Sequence, residues 1–142
     1  AGVSIGLKNK NKNIKIALSD PMGSSLYSYI KNNKLESKGN SITEGIGTGR
    51  ITKNFEKAII DDAFQTSDSE ALKIVYDLIE NQNIILGGSS GINIAGAIKL
   101  AKKLGEGKNI VTILCDDGRR YASKIFNKEF LKNKNLPVPR WL

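Results

Sequence analysis

A run of small residues, GGSSG, occupies positions 87–91 between a short apolar segment and a long helical pattern. Its serines could offer hydroxyl groups, and the first turn of the following helix could offer unpaired amide groups. Glycines also allow a ligand to approach the backbone closely. These residue types favour a ligand group that is anionic or accepts hydrogen bonds. A structural interpretation is equally open, in which the glycines make a turn and a serine caps the helix.

A second stretch, ITEGIGTGRI at 42–51, is rich in turn-forming residues and carries Gly45, Gly47 and Gly49. It resembles a phosphate-binding loop only loosely, because no strand runs directly into it and no lysine occupies the position that a P-loop requires. The pattern indicates either a flexible flap whose backbone passes close to a bound ligand or an ordinary surface loop.

Two acidic residues, Asp116 and Asp117, follow an apolar segment in the stretch CDDGRRY at 115–121. Paired carboxylates could bind a cation or act as acid and base, but they are more often turn and cap residues. The two arginines that follow are close enough to neutralise them. If the strands before Ser89 and Asp116 are neighbours, both residues lie at the same sheet edge, where parallel sheets bind ligands.

The elements that must position these stretches alternate between strand and helix patterns, which predicts an α/β fold with a largely parallel sheet. Four strands are predicted, at 14–18, 63–66, 84–86 and 110–114, the last apolar throughout as in a buried sheet. Helices are predicted at 1–7, 23–34, 54–60, 67–81, 92–104 and 128–132. The tail after residue 135 is predicted to be extended because it contains two prolines.

Two of the helices have clear signals. Ser67 and Glu70 have the spacing of a capping box. In the helix predicted at 92–104, lysines in the last turn and Gly105 as the C-cap indicate where the helix ends. Apolar residues at helical spacing predict the buried stripes of the two helices, which are Leu72, Val75 and Ile79 in the first and Ile94, Ala97, Ile98 and Ala101 in the second.

The composition excludes several kinds of site. With no His and one Cys, the chain has no His-dependent triad, no His metal ligand and no disulfide framework, and we expect no metal site. Cys115 is interpreted as a small buried residue. The net charge of +8 comes mostly from Lys, and aromatic residues are scarce, so we expect no nucleic-acid surface. No apolar run approaches the roughly 18 residues of a membrane-spanning helix.

Four segments of the chain together resemble a known family. ITEGIG, DAFQTSDSEAL, LGGSSGINIAGAIKLA and IVTILCDDGRRYASKIFN follow one another in the order and spacing of cysteine synthase (O-acetylserine sulfhydrylase). Cystathionine β-synthase belongs to the same group of pyridoxal-phosphate enzymes, which is called fold type II. The resemblance covers nearly the whole chain, and only residues 21–38 and the Pro-rich tail match weakly.

The resemblance implies two α/β domains with the cofactor between them. Residues 1–142 would be the C-terminal part of the larger, cofactor-binding domain, and the N-terminal half of the protein would be missing. The lysine that forms the Schiff base and the loop that binds the cofactor phosphate would precede Ala1. We therefore expect no catalytic residue within the chain. An uncapped first helix and the absence of an initiator Met agree with this expectation.

The resemblance also implies roles for four residues in binding pyridoxal 5'-phosphate and the substrate. Ser89 would face the pyridine nitrogen of the cofactor, and Asp116 would lie near the same end of the ring. Gly45 and Gly47 would belong to a loop that closes near the cofactor and the amino-acid substrate. A serine beside a positive helix end favours an unprotonated ring nitrogen. This suits β-elimination and β-replacement better than transamination.

The resemblance implies that the full-length protein is a cytoplasmic homodimer that makes L-cysteine from O-acetylserine and sulfide. The 142 residues alone would be inactive. A related enzyme such as cystathionine β-synthase or a cysteine desulfhydrase is an alternative, because the residues that determine which nucleophile reacts would lie mostly upstream of this chain. A non-catalytic binding protein with the same fold is an alternative of another class. A basic nucleic-acid module would instead show steeply salt-dependent DNA binding.

Overall fold

The computed structural model describes residues 1–142, with two strands, seven α-helices and one 3-10 helix. The strands are β1 (Ala17–Pro21) and β2 (Asp62–Thr66). The helices are α1 (Gly2–Lys10), α2 (Leu26–Asn32), α3 (Lys53–Glu56), α4 (Asp68–Gln82), α5 (Gly88–Leu104), α6 (Ala122–Ile125) and α7 (Lys128–Asn133). The 3-10 helix, Gly118–Tyr121, directly precedes α6. No helix combines the length and the apolar character that crossing a membrane requires.

The two strands form a parallel pair whose register runs from Ala17 opposite Asp62 to Pro21 opposite Thr66. Helix α5 packs against both strands and against α4. The prediction of an α/β fold with a parallel sheet flanked by helices is confirmed. Strand β1 begins later than the predicted 14–18, and α2 and α3 are shorter than the predicted helices at 23–34 and 54–60.

Helix α4 has the start and the buried face that its sequence predicts. The Ser67 hydroxyl accepts a hydrogen bond from the Glu70 amide, which satisfies one of the free amides of the first turn. Leu72 and Val75 are buried, and Tyr76 beside them is buried as well. The C-cap of the helix is Asn83, whose left-handed backbone has a φ of 55°.

Helix α5 departs from its prediction at its start and on its buried face. It begins at Gly88, within the GGSSG run, and not after Gly91. The predicted stripe is wrong at Ile98, which is 43% exposed, and at Ala101, which is also exposed, whereas Ile94 and Ala97 are half-buried. The buried positions are residues 88–92, Ala95 and Gly96, because the N-terminal half of the helix lies between α4 and β1.

The predicted strands at 84–86 and 110–114 do not form. Leu86 makes only an isolated antiparallel bridge with Asp117, and residues 110–114 have no regular structure. Val111 is 90% exposed, which contradicts the prediction of a buried strand. A strand depends on a neighbour that pairs with its amides and carbonyls, and no strand lies beside this segment. Cys115 is also exposed, so its interpretation as a buried residue is wrong.

A hydrophobic cluster joins α4 to the C-terminal helices α6 and α7. The buried residues there are Leu72, Val75, Tyr76, Ile125 and Leu131. The extended tail packs on this cluster, and the ring of Trp141 meets that of Tyr76 edge-on at a centroid distance of 5.8 Å. The tail thus anchors α4, the helix against which α5 packs.

Candidate functional site

Ser89 lies at the start of α5 with its hydroxyl free of the helix cap. Gly87 occupies the N-cap position, and no side chain caps the helix. Ser89 is largely buried, with 8% of its surface exposed, and its hydroxyl takes part in none of the side-chain hydrogen bonds of the chain. Because every fully buried side-chain N or O atom has a partner, this hydroxyl keeps access to solvent. The amides of Gly88 and Ser89 have no partner in the helix either, whereas the Ser90 amide donates to the Gly87 carbonyl at 3.1 Å. Two kinds of hydrogen-bond donor are therefore available at this point.

Ser90 has a structural role that Ser89 lacks. Its hydroxyl accepts a hydrogen bond of 2.8 Å from the Cys115 amide and so joins α5 to the segment before Asp116. The interpretation of a serine as the helix cap is wrong, because the cap is a glycine. Of the two serines, only Ser89 keeps a hydroxyl that a ligand could use.

Gly87 and Gly88 are explained by packing within the chain. A Cβ atom at Gly87 would lie 2.7 Å from the Tyr121 ring, and one at Gly88 would lie 2.9 Å from the Thr43 hydroxyl. These distances are shorter than side chains tolerate. The two glycines thus let the segments around Thr43 and Tyr121 approach the start of α5, which places those segments beside Ser89.

The loop that contains Gly45 and Gly47 borders a cavity. Both glycines have positive φ angles, 74° and 80°, which other residues rarely adopt. The cavity has a volume of about 310 Å³, and Gly47 and Thr43 are among its lining residues. Gly47 packs on Pro21, whereas an added Cβ at Gly45 would meet nothing within 4 Å. Gly45 is therefore the part of the loop with room to move.

Asp116 lies beside the start of α5, but its carboxylate is already engaged. Its main-chain carbonyl accepts a hydrogen bond of 2.9 Å from the Gly87 amide. Its carboxylate accepts one of 2.6 Å from the Tyr121 hydroxyl and forms an ion pair with Arg120 at 3.4 Å. The Tyr121 hydroxyl has a raised pKa, first because it donates to Asp116. Asp116 thus lies beside the start of α5, next to Ser89, although the two strands that were expected to bring these residues together do not form.

Asp117 is neutralised by its neighbour, as the sequence predicts. The side chain and the amide of Arg119 both donate to the Asp117 carboxylate and hold its pKa at about 2. Together with the Asp116–Arg120 pair, this leaves no free carboxylate in the 115–121 stretch.

Asp68 was missed by the sequence reasoning. It is the first residue of α4, and its carboxylate accepts hydrogen bonds from Ser41, Ile42 and Thr43. Its neighbour Ser67 explained the helix start without it. The partners of Asp68 lie 25 to 27 residues away in the chain, and such a distant pairing has no local sequence signal.

A family model described as "Pyridoxal-phosphate dependent enzyme" matches residues 1–116, and the chain belongs to this family. It is similar to the cysteine synthase of Dictyostelium discoideum, with 41% identity over 97% of this chain and 39% of the relative. Cysteine synthase 2 of Schizosaccharomyces pombe is 40% identical over 99% of this chain and 38% of the relative. The chain thus spans about two fifths of the length of these curated relatives.

A solved structure agrees with the family assignment. It is the crystal structure of an O-acetylserine dependent cystathionine beta-synthase from Helicobacter pylori, which matches with a TM-score of 0.74 and 32% sequence identity. The match covers 87% of this chain and 38% of that one. The family and the fold are those that the four sequence segments indicated.

The donors at the start of α5 fit the ring end of pyridoxal phosphate. A pyridine nitrogen accepts one hydrogen bond, and the Ser89 hydroxyl is not used to cap the helix or to bond another side chain. Protonation of that nitrogen would require a stabilising anion, but the nearby Asp116 carboxylate is held by Tyr121 and Arg120. The positive end of α5 also disfavours a cation beside it.

Proposed function

We propose that this chain forms part of the larger α/β domain of a longer enzyme that makes L-cysteine from O-acetylserine and sulfide. The observation that carries the proposal is the free Ser89 hydroxyl at the start of α5, which no side chain caps. The identity of about 40% to two cysteine synthases supports the reaction. The lysine that forms the Schiff base would come from the part of the protein upstream of residue 1.

Bound pyridoxal phosphate would supply an electron-withdrawing ring for removal of the substrate α-proton and loss of its β-substituent. Ser89 would donate a hydrogen bond to the ring nitrogen, and the proton would stay on the Ser89 oxygen. The N-terminus of α5 is the positive end of the helix dipole and would keep the nitrogen uncharged. A helix N-terminus favours a nearby anion, and disfavours a cation, by about 0.3–1 kcal/mol. A weaker electron sink favours prompt loss of the β-substituent over a long-lived carbanion. Asp116 would support this edge through its hydrogen bond to Gly87.

The loop at Gly45 and Gly47 would cover the amino-acid substrate. Its positive φ angles and the open space at Gly45 allow the tip to move towards a ligand. A closed loop would exclude water from the reacting atoms, which strengthens the electrostatic interactions of the site. The cavity of about 310 Å³ beside the loop offers room for such a movement.

The test uses the complete protein with bound pyridoxal phosphate. We expect formation of cysteine and acetate from O-acetylserine and sulfide, with a large loss of activity in both S89A and S89D. The aspartate would hold a proton on the ring nitrogen, whereas the alanine would leave the nitrogen without a donor. Ser90→Ala is the control, since Ser90 bonds only to the Cys115 amide. Full activity in S89D would contradict the role of Ser89.

A second candidate reaction follows from the solved relative, whose title describes a cystathionine beta-synthase that depends on O-acetylserine. In that case homocysteine would replace sulfide, and the product would be cystathionine. Comparing the two nucleophiles at equal O-acetylserine concentration distinguishes the reactions. Higher kcat/KM with sulfide supports cysteine synthesis, and higher kcat/KM with homocysteine supports the alternative.

We further propose that the complete protein is a homodimer located in the cytoplasm, on the basis of the family resemblance. Size-exclusion chromatography with light scattering would measure the assembly, and a monomer mass would contradict it. Cell fractionation would measure the location, and recovery of the protein in an organelle would contradict it.

A further inference from the structure

The loop 41–48 reaches the start of α5 although it contains no helix or strand. Its Thr43 side chain lies against Gly88, where an added Cβ would be 2.9 Å from the threonine hydroxyl. Gly88 directly precedes Ser89, so the position of Thr43 determines how closely the loop approaches the proposed ring-nitrogen donor. A loop without regular structure depends on contacts with the rigid scaffold for its position.

Asp68 provides that contact. One carboxylate oxygen accepts the Ile42 amide at 2.8 Å, and the other accepts the hydroxyl of Thr43 at 3.3 Å. The second oxygen also accepts the Ser41 hydroxyl at 2.5 Å. Hydrogen bonds to an ionised carboxylate are about twice as strong as those between neutral groups. Three consecutive loop residues are thus tied to one residue of a packed helix.

The other end of the loop is held independently. The Ser24 hydroxyl accepts the Thr48 amide at 3.0 Å and donates to the Thr48 carbonyl at 3.1 Å. The Ser25 amide also donates to that carbonyl, at 2.9 Å. Glu44 forms an ion pair with Lys124 on the exposed side. Between the two anchored ends, the exposed Glu44–Lys124 ion pair is the side-chain tie next to Gly45, and open space at Gly45 gives the tip room to move.

We propose that Asp68 is a positioning residue, which holds the loop 41–48 against the start of α5 so that its tip closes over the amino-acid substrate. The role in substrate binding rests on the proposed function. The anchoring itself rests only on the contacts of Asp68 with Ser41, Ile42 and Thr43. Asp68 touches no reacting atom and acts through Thr43 and the loop tip.

The experiment replaces Asp68→Asn in the complete protein with bound pyridoxal phosphate. The asparagine amide group would face the donors of the loop, so part of the anchor is lost with little change in volume. Glu70→Gln is the matched control, because Glu70 lies in the same first turn of α4 and pairs with Lys99 instead of the loop. Both variants remove one carboxylate from the same helix end.

Three measurements report on the anchor. In D68N we expect faster hydrogen exchange at the Ile42 amide and faster trypsin cleavage after the exposed Lys38, which lies just before the anchored residues, both detected by mass spectrometry. We expect the KM for O-acetylserine to rise roughly tenfold or more, since small misplacements in a site have effects of this size. The KM for sulfide and the thermal midpoint should change little. E70Q should match the wild type in hydrogen exchange, cleavage and KM.

The outcomes distinguish the anchoring of the loop by Asp68 from the role of the loop in substrate binding. Unchanged exchange at Ile42 and unchanged cleavage after Lys38 in D68N would overturn the anchoring. A loosened loop with an unchanged KM for O-acetylserine would overturn the role in substrate binding. If D68N fails to fold, the double variant Ser41→Ala with Thr43→Val removes two of the three loop donors and leaves α4 intact. Exchange and cleavage test the anchor even if the wild-type protein does not use O-acetylserine.

Discussion

Substitution of Gly91 by alanine is expected to destabilise the contact between α4 and α5. An ideal Cβ at this position would lie 2.4 Å from the carbonyl oxygen of Ala71 and 3.0 Å from a methyl carbon of Val75. The carbonyl belongs to the backbone of α4 and cannot rotate away, so the two helices must separate. Inserting a carbon into a packed interface typically costs about 1–3 kcal/mol. Alanine offsets about 1 kcal/mol of that through its higher helix propensity.

The matched control is Gly6→Ala in α1. Gly6 is also inside a helix, but nothing lies within 4 Å of an added Cβ, so only the propensity gain remains. We expect G6A to raise the free energy of unfolding by about 1 kcal/mol. The difference between the two variants then measures the steric cost at Gly91. Urea unfolding of the 142-residue chain, followed by circular dichroism, gives both values from the midpoints and slopes. A G91A chain as stable as G6A would refute the close helix contact.

Three further substitutions are informative. Burial raises the pKa of Asp62, but hydrogen bonds from Lys103 and Lys31 outweigh it and hold the pKa at about 2. Stability should therefore fall as the pH drops from about 4 to 2, and D62N should show a flatter unfolding profile there. Burial raises the pKa of Tyr76 to about 12, so the free energy of unfolding should fall between pH 10 and 12. The Y76F variant should abolish the part of this fall that comes from Tyr76, and it should cost about 1 kcal/mol at pH 7. Leu72→Ala should cost about 2–5 kcal/mol in urea unfolding, because the side chain is fully buried.

Local signals predicted the helices better than the strands. Ser67 identified the start of α4, because a cap is defined by residues only a few positions apart. The apolar segment 110–114 has strong strand propensity, yet it forms no strand, since β-structure depends on a partner that the local sequence does not specify. The start of α5 at Gly88 was also missed, because glycines and serines were interpreted as a turn.

The residues of the candidate site come from the family resemblance, whereas their contacts come from the structure. The resemblance proposes Ser89, Asp116, Gly45 and Gly47 as site residues, and the structure places Asp116 beside the start of α5, next to Ser89. The contacts that bring segments together depend on pairs such as Gly88 with Thr43, which lie far apart in the chain. No periodicity or local motif encodes such pairs, so only the folded structure reveals them.

The most direct test of the account is a crystal structure of the complete protein with bound pyridoxal phosphate. The account predicts that the Ser89 hydroxyl oxygen lies about 2.5–3.2 Å from the pyridine nitrogen, with no carboxylate in contact with that nitrogen. A ring nitrogen that instead contacts a carboxylate, while the Ser89 hydroxyl bonds within the protein, would contradict the account.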